Sequence, residues 1–351
     1  MTTTCLVTGG AGFIGTALSA QLADRYDAVV AVDSLHPQVH PDGRRPSALD
    51  GRVQLVEGDV TVAQTWDDVL AVFRPDTVVH LAAETGIGQS LTEATRHACV
   101  NVVGTAQMLD AFVRHECLPT RIVLTSSRAV YGEGAWARED GAVVYPGQRS
   151  RAQLDAGAWA WRGLRPLPHD SVSVEPRPTS VYGATKLAQE HVLTAWCLAM
   201  GVTPILVRLQ NVYGPGQSPN NPYTGIVPLF AQVARGGGSI PVYEDGEIVR
   251  DFVFIDDVVA ALLGVLAAGK ATASPYDVGS GKGTTILDLA RIVAGIYGAP
   301  EPTITGQFRD GDVRHASAAI ERTEAAADWH PTVPVEVGVA RLCAWIDGSG
   351  R

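Results

Sequence analysis

The 351-residue chain is 46% hydrophobic and 18% charged, so it has the apolar material for a large core and about two domains, which excludes a disordered protein. Its 27 basic against 37 acidic side chains give a formal net charge of −10, which argues against nucleic acid or an anionic membrane surface as partner. A phosphorylated small molecule remains open, because a few local arginines or a helix N-terminus can hold phosphate in an acidic protein.

The chain starts Met1-Thr2-Thr3-Thr4, without the basic region of a signal peptide, and enters an apolar run at once. Short β-branched runs at Cys5–Thr8, Ala28–Asp33, Val53–Glu57, Thr77–Leu81 and Arg121–Ser126 predict strands. Between them, Phe13–Arg25, Val60–Phe73 and Val100–His115 predict helices. Strands that are apolar throughout and alternate with helices imply an α/β fold, a Rossmann-like doubly wound parallel sheet covered on both faces.

Gly132–Pro178 breaks this rhythm. It is rich in Gly, Pro, Arg and Trp, includes Trp136, Trp159 and Trp161, and has no clear period, which marks a surface excursion or a functional insertion. A helix from Tyr182 to about Met200 and a strand at Thr203–Leu209 follow. After Asn211 the Pro/Gly/Asn-rich stretch Tyr213–Gly225 leads into mixed elements. The expected division is therefore a nucleotide-binding domain at 1–211 and a smaller C-terminal α/β substrate domain at 212–351, with 251–280 packing back on the first. The longest apolar run, Val258–Ala268, is too short for a bilayer and predicts a buried helix. Cys5, Cys99, Cys117, Cys197 and Cys343 are odd in number and scattered, so reduced thiols, no metal cluster and a cytoplasmic location are expected.

Leu6-Val7-Thr8-Gly9-Gly10-Ala11-Gly12-Phe13-Ile14-Gly15 reads as strand, glycine turn and helix start. Gly9, Gly12 and Gly15 remove the side chains that would keep a pyrophosphate from backbone N–H groups at a helix N-terminus. Asp33, at the end of the next strand, can accept from ribose hydroxyls and repels a 2′-phosphate, which favours NAD over NADP. Asp59 can meet the adenine amino group or simply cap its own loop.

Tyr182-Gly183-Ala184-Thr185-Lys186 sets a phenol and an ammonium at i and i+4 on one helix face. A neighbouring ammonium lowers a phenol toward use as a base, so Tyr182 is expected to take a hydroxyl proton with Lys186 beside it. Ser127 ends a strand at the carboxyl edge of the sheet, where it can hydrogen-bond the reacting oxygen.

With these motifs the chain resembles the extended short-chain dehydrogenase/reductases, and within them the nucleotide-sugar 4-epimerases. The resemblance rests on the glycine turn, on His80-Leu81-Ala82-Ala83-Glu84, Ser126-Ser127-Arg128-Ala129-Val130-Tyr131-Gly132 and Tyr182–Lys186. Asn220-Asn221-Pro222-Tyr223-Thr224-Gly225 and Arg250-Asp251-Phe252-Val253-Phe254-Ile255-Asp256-Asp257 extend it over nearly the whole chain. It implies Ser127, Tyr182 and Lys186 as the catalytic trio. It implies NAD held by Gly9, Gly12, Phe13, Ile14, Gly15, Asp33, Asp59, Val60, Leu81, Ala82, Ala83, Tyr182 and Lys186. It implies a dTDP- or UDP-hexose held by Glu84, Ser127, Arg128, Asn211, Tyr223, Arg250 and Arg309, and a homodimer. Guanidinium forks on a diphosphate suit the arginines.

The stretch between Ser127 and Tyr182 is longer than in common 4-epimerases. Relatives often carry a cysteine pair there that could bind zinc; here no cysteine lies between Cys117 and Cys197, so no metal is carried over. Dehydratases of the superfamily place an Asp-Glu pair after the Thr/Ser position. Arg128-Ala129 stand there instead, which disfavours elimination and points to epimerisation at C4 through a transient 4-keto sugar. The alternatives are a 4-ketoreductase or dehydratase in deoxysugar synthesis, and a non-catalytic NAD-sensing protein.

Overall fold

The computed structural model describes residues 3–218, 225–268 and 274–349. Seven parallel strands lie in the order Tyr276–Val278, Thr203–Leu209, Arg121–Ser127, Thr77–His80, Thr4–Thr8, Ala28–Asp33, Gln54–Glu57. The strands dictate two covered faces. Side chains alternate across a strand, and here both sets are apolar: Cys5, Val7, Val29 and Ala31 enter one buried cluster, Leu6, Val30 and Val32 the opposite one.

Helices Phe13–Arg25 and Ile255–Ala268 cover the first face through Leu18, Leu22, Val258, Leu262 and Val265. Helices Ala63–Val72, Gly104–Arg114 and Val181–Met200 cover the second through Trp66, Leu70, Met108, Phe112 and Leu193. This is the Rossmann-like doubly wound arrangement. Winding reverses between Thr4–Thr8 and Thr77–His80, where Thr8 lies opposite His80. The loops diverge there and open a crevice at the carboxyl edge.

A third apolar cluster, with Phe230, Phe252, Phe254, Ile286, Leu289 and Leu342, joins helices Ile226–Arg235, Ile286–Tyr297 and Val335–Ser349. Its central strand, Val249–Phe254, pairs with Asn211–Tyr213, Gly283–Thr285 and His315–Ala316. None of the described helices is long and apolar enough to cross a membrane.

Two elements differ from the sequence-based expectation. The helix expected at Val100–His115 starts at Ala94 and widens into a π turn at Cys99–Val103 before Gly104–Arg114. Such widenings recur at functional sites. This one buries Asn101, whose Nδ2 donates to the Glu84 carbonyl at 3.1 Å and to Thr185 Oγ1 at 3.0 Å. The stretch 132–178, expected to be irregular, folds a three-stranded antiparallel sheet from Trp136–Arg138, Val143–Val144 and Leu164–Pro166, with a helix at Arg151–Asp155. Strands of two or three residues are too short to show a period.

Candidate active site

The first strand ends in the glycine turn. Gly9 lies at φ +64, and a methyl there would sit 2.8 Å from the Ala82 nitrogen, so only glycine fits. Gly12 is the extended N-cap of Phe13–Arg25; no side chain caps this helix and no acid stands in its first turn, while Gly15 is buried within it. An uncapped helix N-terminus behind a side-chain-free turn is the cradle a pyrophosphate needs.

Asp33 Oδ2 accepts the Ala11 amide and its Oδ1 the Leu35 amide, each at 3.0 Å, so the carboxylate braces the turn where an adenosine ribose would meet it. These residues fit NAD. Ile14, Leu81 and Ala83 line the adjoining cleft, and the Ala82 amide donates to Thr8 Oγ1 at 3.1 Å. Phe13 packs on the third apolar cluster, and Val60 is buried against the second sheet face. Asp59 Oδ1 accepts from Thr61 N at 2.8 Å and Thr61 Oγ1 at 2.7 Å, the loop-capping arrangement.

The helix carrying Tyr182 and Lys186 starts where Ser180 Oγ accepts the Gly183 amide at 3.0 Å. A methyl on Gly183 would strike the Ala129 carbonyl, so glycine lets the helix approach the turn that follows Ser127. Ser127, Tyr182 and Lys186 line one cleft of about 660 Å³. Burial dominates and leaves the Tyr182 phenol raised, while a hydrogen bond with Ser127 and then the positive charge of Arg128 offset part of that rise.

The expected partner of the phenol, the Lys186 ammonium, is turned elsewhere. Lys186 is 2% exposed and donates to Gln189 Oε1, one turn along its own helix. Burial pushes it down to about 7, against the pull of Glu190. The i, i+4 spacing does share a face, but the Gln189 carbonyl captures the ammonium, and Arg128 is the cation that acts on the phenol.

Gln189 Nε2 lies 3.0 Å from His80 Nε2 and donates to Thr105 Oγ1 at 2.9 Å, and His80 Nε2 itself lies 2.9 Å from Thr105 Oγ1. His80 Nδ1 lies 2.6 Å from Thr8 Oγ1, so the ring bridges Thr8 and the Gln189–Thr105 pair. Burial, with the Lys186 charge behind it, pushes His80 down to about 3 and keeps it neutral. A chain of polar contacts thus runs from Lys186 through Gln189 and His80 to Thr8, the residue before the glycine turn. Sequence reading missed Gln189 and Thr105. The signal for Gln189 was its place three residues after Lys186 on one helix face.

At the other end, Arg128 Nε donates to Asn211 Oδ1 at 2.7 Å. Burial and then the Arg250 charge push Arg128 down to about 9. Arg250 Nη2 meets Asp312 Oδ1 at 2.5 Å and its Nη1 the Val249 carbonyl at 2.7 Å. Its neighbour Asp251 ties that strand down by accepting Ser280 N at 2.6 Å and Ala318 N at 3.1 Å. Arg309 lies over the Tyr243 ring at 5.2 Å. A second cavity of about 270 Å³, walled by Ile226, Phe230, Pro241 and Tyr243, opens here and shares Asn211, Arg309 and Asp312 with the larger cleft.

The structure therefore brings Ser127, Arg128, Tyr182, Lys186, Asn211, Arg250 and Arg309 onto one connected depression. Glu84 stands apart: its carboxylate is held by Arg96 at 2.7 Å. Tyr223 lies outside the described residues. No group of three or more His, Cys, Asp or Glu side chains that could hold a metal occurs among the described residues.

Comparison with known proteins gives three findings. The model of the NAD dependent epimerase/dehydratase family matches residues 5–151 and 157–279. The chain is 57% identical over 341 residues to a dTDP-L-rhamnose 4-epimerase of Burkholderia thailandensis, covering 97% of this chain and 94% of that one. Among solved structures, UDP-glucose 4-epimerase of Thermotoga maritima with UDP-glucose superposes with a TM-score of 0.82 at 26% identity, covering 99% of this chain and 100% of that one. The Thermus thermophilus UDP-glucose 4-epimerase in complex with NAD gives 0.79 at 27% identity, covering 99% of each chain.

Proposed function

The chain belongs to the NAD-dependent epimerase/dehydratase family, and from that premise we propose that it inverts a nucleotide-linked hexose at C4, the substrate being a dTDP-linked 6-deoxyhexose of the rhamnose type. It is an NAD-dependent enzyme. The 57% relative is named for dTDP-L-rhamnose, which supports dTDP over the UDP of the more distant solved neighbours.

One observation carries epimerisation over elimination. The carboxylates on the cleft wall among the described residues are Asp310 and Asp312, and each is engaged by an arginine, Arg151 at 3.0 Å and Arg250 at 2.5 Å. Elimination needs a free acid and base beside the sugar. Arg128 and Ala129 follow Ser127 and supply neither.

In this reading Tyr182 takes the C4 hydroxyl proton, and Ser127, already bonded to the phenol, orients the same oxygen. Arg128 holds charge beside the phenol and favours its ionised form. The Gly9 turn and Asp33 would hold NAD, which when bound would supply the hydride acceptor and donor. Asn211, Arg250 and Arg309 hold the diphosphate, while a cleft of about 660 Å³ leaves the flat 4-keto sugar room to present its other face. Tyr182 then returns the proton.

The test is isotopic. Substrate deuterated at C4 should give product that keeps the label at C4, and reaction in deuterated water should place no deuterium on C3 or C5. Label lost to solvent would sink the proposal. Consumption of one reduced cofactor per product would establish a ketoreductase instead.

A further inference from the structure

No residue of the stretch 132–178 lines either cavity, yet the stretch grips the segment that carries Arg309 and Asp312. Arg149 is 3% exposed and serves three acceptors: Glu244 Oε2 at 2.7 Å, the Trp159 carbonyl at 3.1 Å and the Asp312 carbonyl at 2.8 Å. The last of these is the residue whose side chain holds Arg250. Glu244 follows Tyr243, the ring beneath Arg309. It is held in left-handed backbone at φ +54, and its amide donates to the Gln307 carbonyl at 2.7 Å.

The grip continues on both sides. Trp159 meets the Phe308 ring at 6.0 Å; Arg151 lies 4.7 Å over that ring and bonds Asp310 at 3.0 Å. Further along, the Glu133 carboxylate accepts the Arg314 amide at 2.9 Å, and the His169 amide donates to the Ser317 carbonyl at 2.7 Å. The gripped segment has almost no ladder of its own: its strand is only His315–Ala316. A loop of this kind loses conformational freedom when a ligand orders it, and fixing it in advance removes that loss from the binding step.

We propose that Arg149 is a positioning residue for substrate binding: from the insertion it fixes the loop of Arg309 and Asp312 in the form that receives a nucleotide diphosphate. This rests on the nucleotide-sugar reading above. Arg149 does not line either cavity, so it acts through the loop. Three acceptors in different directions call for the planar, multiply donating guanidinium, which an ammonium replaces only in part.

Kinetics, with calorimetry of dTDP and of NAD, on Arg149→Met, Arg149→Lys and Arg151→Ala test this. Arg149→Met should raise KM for the nucleotide sugar and Kd for dTDP together by about tenfold, with kcat within about twofold and NAD affinity unchanged. Arg149→Lys should fall between Arg149→Met and the unaltered enzyme. Arg151→Ala, at an exposed position, should raise the same two constants by about threefold. If Arg149→Met does not fold, Arg151→Ala and Trp159→Ala decide the matter by the same two constants. Unchanged dTDP affinity in the folded variants overturns the inference, as does an equal fall in kcat and NAD affinity. An unaltered enzyme that binds NAD but neither dTDP nor UDP overturns the nucleotide-sugar reading instead.

Discussion

The two ends of the cleft are built differently. At the glycine-turn end, Thr8, Asp33, His80, Gln189 and Lys186 are already held by partners within the fold. At the arginine end, Arg250 is engaged by Asp312, whose side chain is 29% exposed, and Arg128 by Asn211. In the proposed reading a diphosphate binds there beside or in place of these side-chain partners, on a loop whose backbone Arg149 already fixes. The contrast matches the two tasks: NAD is regenerated in place at every turnover, whereas substrate and product come and go. Preorganised groups retain a ligand cheaply, and exchangeable ion pairs release one.

The largest effect should come where the ends meet. Tyr182→Phe removes one oxygen and should cut turnover about 10³-fold with NAD affinity intact, read by single-turnover kinetics and calorimetry. Near-normal turnover in that variant would mean that another group is the base.

Next, Arg250→Ala should raise KM for the nucleotide sugar about 100-fold, or ~3 kcal/mol, because the diphosphate loses a charged fork. NAD binding should not move. A parallel loss of NAD affinity would break the comparison by showing that the ends are one unit.

The smallest effect concerns the buried chain. His80 stays neutral in the fold, pushed to about 3, against an unfolded value of 6.5. As pH falls below 6.5 the unfolded chain gains a proton that the folded one refuses. Stability is therefore present above 6.5 and is lost as pH falls toward 3. His80→Gln keeps both a donor and an acceptor at this position without titrating. In urea unfolding between pH 6.5 and about 5.5, the unaltered protein should lose about 1 kcal/mol more than this variant. Equal slopes would mean that His80 is not held neutral.

Local motifs were legible because short-range chemistry imposes them. A strand, a turn that only glycine can make and a helix must follow one another at Thr8–Gly15, and the apolar runs around Val7, Val30 and Val79 require a sheet covered on both faces. The Tyr182 and Lys186 face followed from helical spacing alone. The sheet inside 132–178 was not legible, because its strands are shorter than the period that would reveal them.

The partners of those residues belonged to the tertiary structure. Nothing near Lys186 in the sequence says that Gln189 holds its ammonium because His80 and Thr105, from a strand and a helix far away, occupy the Gln189 amide. Nothing near Arg128 says that it lies beside Tyr182 and Asn211. Glu84 carries the same carboxylate in the sequence whether it faces a sugar or, as here, Arg96. Backbone conformation is settled by neighbours a few residues away. The charge state and direction of a buried polar group are settled by whatever the fold packs against it, since low dielectric makes each unpaired charge costly and each partner decisive.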